Sequence, residues 1–327
     1  MRTYALLFLL LVLALVFATC AGHTWTSPGA VIESLIDRQT LSARLLLEWR
    51  VPRVLCAALV GILLGLSGAI FQGVFRNPLA EPWLLGSSGG AAVGATIALL
   101  VPLALPMSVS LPLFSFVGAM AAIFLVLGVS RIAGALDTTT LLLAGVAISA
   151  ILSAIRSFLM MALANESISL QAVLSWLLGG VQTPAWNTLA LAFGAAICCF
   201  VAALSLARGL DLLGLGETMA MAFGLSPRRF SVVALTVGSA IVAAAVALGG
   251  VVGFVGLAAP HLARWLCGSA HRKLLPAAGL IGAIVVVVAD ALSRSLLPPG
   301  EIPLGLITAL AGGPFFIVLL SRKARQG

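Results

Sequence analysis

Side chains able to do chemistry are sparse in this 327-residue chain, and their spacing suits charge pairing better than bond making. His23, His261 and His271 stand apart, and no H-E-x-x-H places two imidazoles on one helical face to hold zinc. Lys273 and Lys323 neither follow a glycine nor precede Ser or Thr, so no G-x-x-x-x-G-K-[ST] loop cradles nucleotide phosphates. No catalytic set, no metal site and no ATPase site of that type is expected. His261, just after Pro260, reads as a hydrogen-bonded structural residue, and Met160, Met161, Met219 and Met221 read as packing side chains.

What remains is a set of charges and breaks at particular places. Arg50 and Arg53 open one apolar stretch, and Arg294 closes another, four residues after Asp290 and able to pair with it along a helix. Arg156 is the one basic residue deep inside an apolar stretch, where charge is costly and tends to face protein or a water-filled path. Snorkelling to a membrane edge, or pairing with Glu166, are the plainer readings of the same residue. Asp211 to Arg229 is a polar segment in which Glu217 to Phe223, with Thr218 and Ala220 among them, reads as a short helix ended by Gly224, with Ser226-Pro227 opening the next element. Two further interruptions are the polar break Asn77-Pro78-Leu79-Ala80-Glu81-Pro82 and the glycine clip Gly253-Phe254-Val255-Gly256 leading to Pro260-His261.

The elements that must position these residues belong to a membrane. With 61% hydrophobic and 9% charged residues, the apolar surface exceeds what a water-soluble domain hides. Charge-free runs of 22 (54–75), 48 (83–130), 41 (167–207) and 34 (230–263) residues compare with roughly 20 needed for one helical crossing. Breaks at polar and Pro/Gly clusters predict ten spans: about 4–22, 52–75, 84–103, 111–131, 139–163, 186–207, 229–249, 255–268, 275–297 and 304–321. The eighth is short and reads as a half-helix whose irregular approach, 249–256, is buried among neighbours. The whole chain, 1–327, reads as one all-α polytopic membrane domain. Residues 1–21 have the layout of a signal peptide, but the 18-residue apolar stretch and the charge distribution favour a retained first span.

Orientation follows from Arg and Lys. With a cytoplasmic N-terminus, 12 of the 18 basic residues fall inside, five fall outside (Arg38, Arg44, Arg50, Arg53, Arg294), and Arg156 stays within a span. The net charge of +8 therefore reports topology and calls for no nucleic-acid partner. Cys20, Cys56, Cys198, Cys199 and Cys267, odd in number and in or beside spans, read as small apolar residues. Gly61/Gly65, Gly90/Gly94 and Gly249/Gly253 are spaced for close helix approach, as general packing more than as a dimer seam. Val51-Pro52-Arg53 and Ser226-Pro227-Arg228 hint at an inverted repeat of spans two to five onto seven to ten.

These residues carry a resemblance. Arg50 to Leu55, Gly68 to Gln72, Arg76-Asn77-Pro78-Leu79-Ala80-Glu81-Pro82, Leu84-Leu85-Gly86 and Leu141 to Val146 resemble the FecCD-type permeases of bacterial ABC importers for ferric siderophores, haem or cobalamin. Gly214 to Gly224, Gly253 to His261, His271 to Pro276, and Leu304-Gly305 through Phe316 continue the match in order.

The resemblance implies a BtuC-like, type II ABC importer fold of about ten transmembrane helices in the inner membrane, with both termini cytoplasmic. It implies a second permease, usually an identical copy, two cytosolic ATPases that bind the ATP, and a periplasmic binding protein. No cofactor of the permease itself is implied. Glu217, Thr218, Ala220, Phe223, Gly224, Leu225 and Arg228 would form the coupling helix seated on an ATPase, with the small residues docking closely. Arg50, Arg53 and Arg294 would meet acidic side chains of the binding protein. The fifth span lines the central pathway in that family, so Arg156, which is not itself part of the family pattern, would be placed to touch an anionic cargo. An ion-coupled secondary transporter, the rival class, would want acidic residues at the midplane, where Asp290 is the sole candidate.

Overall fold

The computed structural model describes residues 2–22, 24–37, 40–134, 138–163, 167–298 and 300–324. His23, Arg38, Glu166 and Arg325 lie outside the described residues. The elements run in chain order as α1 (Arg2–Cys20), α2 (Pro28–Ile36), α3 (Leu41–Leu45), a π turn (Leu46–Arg50) continuous with α4 (Val51–Val74), α5 (Ser87–Leu100), α6 (Met107–Ile132) and α7 (Thr138–Leu163). They continue as α8 (Ser167–Leu177), α9 (Trp186–Gly214), α10 (Glu217–Ala222), α11 (Pro227–Gly249), α12 (Val255–Cys267), α13 (His271–Ser295) and α14 (Leu304–Ala324).

Each of the ten expected spans falls on one helix: α1, α4, α5, α6, α7, α9 and α11 to α14. Among the described residues, seven helices are long and apolar enough to cross a membrane. α12, with 13 residues, is the expected half-helix, and its approach through Gly249, Gly250 and Val252 is buried. α5 departs from expectation, since a 3-10 turn at Pro82–Leu85 and a left-handed Gly86 (φ 75°) leave it only 14 residues. Both broken helices keep their irregular backbone inside the protein, as lipid would require.

α4 is the centre of the bundle, and small residues let its neighbours reach it. A Cβ on Gly61 would stand 2.2 Å from the Gly282 carbonyl of α13, and one on Gly68 would overlap the Gly256 carbonyl of α12. Close backbone approach of this kind is how helices associate where lipid offers no hydrophobic drive. Gly90 and Gly94 seat α5 on α6 in the same way. Gly249 instead meets the Val60 side chain and Gly253 meets nothing within 4 Å, so that third pair forms no seam.

The suspected repeat is visible in element order. A long helix, an irregular approach, a short helix and two long helices occur as α4 to α7 and again as α11 to α14. α4 and α11 run antiparallel: Val60 lies against Gly249, and the Ser67 hydroxyl donates to the Gly238 carbonyl at 2.8 Å.

Candidate functional site

The two interruptions of the apolar runs meet in space. α4 ends in a Schellman turn, with the Asn77 amide donating to the Gln72 carbonyl at 3.2 Å and Arg76 at φ 49°. Asn77 Oδ1 then accepts from the Leu79 amide at 3.0 Å, holding the polar break in shape. Glu81 Oε1 accepts from the Phe254 amide at 2.8 Å at the head of α12, where Phe254 itself has φ 66°. Arg76 and Phe254 are the two non-glycine residues with positive φ among those described, one in each interruption. Backbone held in that region costs about 1–3 kcal/mol and persists only where its surroundings enforce it. Gln72 completes the junction, donating to the Gly256 and Leu257 carbonyls and accepting from Arg264. Sequence reasoning quoted Gln72 without giving it a role; a lone amide in a charge-free 22-residue run was the available signal.

The segment after α9 is a helix with an apolar outward face. The Leu225 amide donates to the Ala220 carbonyl at 3.0 Å and Gly224 sits at φ 80°, so α10 ends in a second Schellman turn where Gly224 was expected to stop it. A Cβ on Gly224 would touch nothing, which makes its requirement conformational. Met219, Met221 and Phe223 are exposed around the turn, alongside Glu217, Thr218 and Arg228, with Leu225 half-buried. Ala220 corrects one expectation: it is fully buried, because the inner side of a one-and-a-half-turn helix must face its own protein. Glu217 pairs with Arg76 at 3.5 Å, linking α10 to the end of α4.

At the opposite end of α4 the arginines turn inward. Arg53 Nε donates to Asp290 Oδ1 at 3.1 Å, and its two terminal nitrogens meet the Glu301 carboxylate at 3.0 and 2.8 Å. Arg294 Nε donates to Asp290 Oδ2 at 3.0 Å, so the intrahelical pair exists and Asp290, fully buried, bridges both arginines. Arg294 also donates to the Ala21 and Ala18 carbonyls at 2.9 and 3.0 Å, capping the end of α1. At 5% exposure it presents no surface to a partner, contrary to its expected docking role. Arg50 donates to Thr26 Oγ1 at 2.8 Å and to the Thr24 carbonyl at 3.2 Å. Glu301, which the sequence reading passed over, is 248 positions from Arg53 and carried no local signal.

Arg156 lies on α7, seven residues from Leu163, or about 10 Å along the axis by helical rise. Its Nη2 donates to Ser153 Oγ at 3.2 Å, and its covered Nε has no hydrogen-bond partner among the described residues. Among the described residues, no hydrogen bond or ion pair joins it to Arg50, Arg53, Arg294 or α10. The alternative pairing with Glu166 lies outside the described residues. His261 packs edge-on against Trp265 at 4.8 Å and Phe315 at 6.1 Å. The five cysteines are free, and no group of three or more His, Cys, Asp or Glu among the described residues could hold a metal.

A polytopic helical bundle with two broken helices, and a short helix projecting between the ends of two spans, defines a transport permease of the type II ABC importer class. The chain belongs to the FecCD transport family, whose model matches residues 9–322. It is 39% identical over 324 residues to the vitamin B12 import system permease protein BtuC of Klebsiella pneumoniae, covering 98% of this chain and 93% of that one. It is 34% identical to the Fe(3+)-citrate import system permease protein YfmE of Bacillus subtilis, covering 98% and 95%. It is 39% identical to the hemin transport system permease protein HmuU of Yersinia pestis, covering 86% and 84%. A solved structure of a metal-chelate type ABC transporter in an inward-facing conformation matches with TM-score 0.84 and 32% identity, covering 98% of each chain. PsaBC from Streptococcus pneumoniae, at 17% identity and TM-score 0.58, shares the fold alone. The chain is thus a multi-pass inner-membrane permease that works with ATPase and substrate-binding partners.

Proposed function

We propose that this permease moves an iron chelate, a ferric siderophore in the first instance, from periplasm to cytoplasm. It works as one of two identical copies above two cytosolic ATPases, with both termini cytoplasmic. The observation that carries the reading is α10, whose outward Met219, Met221 and Phe223 form a compact apolar knob held by the Gly224 turn. Such a knob can seat in a groove of an ATPase and pass on its closure, whereas a loose loop would dissipate the push. An iron chelate is favoured over cobalamin because relatives named for ferric citrate and hemin, and a metal-chelate type transporter, stand beside the vitamin B12 one.

On the periplasmic side we assign docking to Arg53. A binding protein's acidic side chain would compete with Glu301 for its guanidinium, opening the cluster as the complex forms; Arg50 and Arg294 hold the surrounding backbone. Charge pairs at such a rim act on encounter and orientation more than on affinity. Arg53→Glu is expected to slow association with the purified binding protein and flatten its salt dependence; unaltered association would remove the assignment.

Haem is the second reading, favoured by Arg156, whose unpartnered Nε offers a donor to a propionate. Carboxylate-bearing siderophores would use the same group. The deciding experiment reconstitutes the permease with its ATPases and binding protein and measures ATP-driven uptake of ferric siderophore, haemin and cobalamin. Uptake of cobalamin alone, or any uptake without the ATPases, would sink the proposal.

A further inference from the structure

We infer that Asp211 and His271 form a positioning pair that fastens the α10 segment to α13, so that a push on α10 moves α4 and α13 as one strut. The inference rests on the reading of α10 as the coupling element. Asp211 lies on the last turn of α9, which ends at Gly214 just before α10 begins at Glu217. One carboxylate oxygen, Asp211 Oδ1, accepts from the His271 backbone amide at 2.9 Å and lies 2.7 Å from His271 Nδ1. α13 has no cap of its own, because its N-cap residue is Ala270 and no side chain there bonds the first turn. A cap for stability alone needs only a Ser or Asp at 270; taking it from α9 joins two helices.

The imidazole is keyed into a third helix as well. Its Nε2 is buried without a partner among the described residues, and a Cβ on Gly73 of α4 would stand 2.6 Å from it. Three residues further on, Arg76 reaches Glu217 on α10, but that pair is exposed on both sides and weakened by salt. The half-buried Asp211–His271 tie is therefore the firmer of the two. Beyond it, α4 and α13 touch backbone to backbone at Gly61/Gly282 and Gly65/Ala278, and Arg53–Asp290 closes their far ends. Two helices fixed at both ends and along the middle transmit displacement instead of absorbing it.

The test uses the complete transporter in liposomes and reads cargo moved per ATP hydrolysed. Asp211→Ala and His271→Ala are each expected to lower that ratio about ten-fold, with no further loss in the double variant. His271→Asn, whose amide nitrogen stands where Nδ1 does, is expected to restore most of it; His271→Gln, which reaches toward the Nε2 position, is not. Because both amides fill the site, their comparison holds even where the alanine variants assemble poorly. Equal behaviour of Asn and Gln, or lower thermal stability with an unchanged ratio, overturns the inference. Phe223→Asp, on the exposed face of α10, tests the coupling reading separately. If it leaves ATPase association and the ratio intact, that reading falls and this inference with it. If it uncouples while His271→Ala does not, only this inference falls.

Discussion

The two ends of the α4–α13 pair carry similar charges and use them in opposite ways. Near Arg53, two arginines and two carboxylates balance, and most of their hydrogen-bonding capacity is met within the chain. Near Arg76, by contrast, Glu217 and its neighbours face outward, and apolar side chains beside them are bare. The difference comes from what surrounds each end. Arg294 is drawn in by the carbonyls left open where α1 stops, while α10 is too short to bury more than one face. The first end is built to hold and the second to be held by something else.

Breaking the closed end gives the largest effect. Asp290→Ala leaves Arg53 and Arg294 without their shared carboxylate and is expected to cost about 3–5 kcal/mol, read as loss of folded, membrane-inserted protein. A folded Asp290→Ala protein of normal melting temperature would show the cluster to be decorative. Gly61→Val would force α4 off α13 and is expected to destabilise by about 1–3 kcal/mol, seen as a lower melting temperature in detergent. Gly224→Val places its Cβ where nothing lies within 4 Å but strains the left-handed turn by about 1–2 kcal/mol. Its expected signature is less transport per ATP with little change in melting temperature, the reverse of Gly61→Val. Smallest is Glu217→Gln, which removes an exposed pair worth under about 1 kcal/mol and should alter only the salt dependence of ATPase association. If Glu217→Gln proved as damaging as Asp290→Ala, the contrast between the two ends would fail.

Much of this architecture was legible beforehand, and for a physical reason. Lipid tolerates only helices of a given length, so charge-free runs and polar breaks located ten helices, including the half-helix expected at 255–268, and among the described residues seven of them are long and apolar enough to cross a membrane. Gly224 announced its turn because few residues other than glycine accept φ 80°. α5 is shorter than the expected 84–103 because Pro82 and Gly86 reshape the chain inside an otherwise uniform apolar run.

Pairings across the bundle were another matter. Arg53 and Asp290 are 237 positions apart, Glu81 and Phe254 are 173 apart, and Asp211 and His271 are 60 apart. The residue types foretold that charges would seek partners at membrane depth, but not which ones. By itself the sequence determined the spans, their breaks, the turn at Gly224 and the family. Tertiary structure alone decided that Arg294 is internal, that Ala220 is buried and that one aspartate serves two arginines. Helix propensity and burial length are local, whereas an ion pair depends on which helices lie side by side, and that is set by glycine contacts distributed along the whole chain.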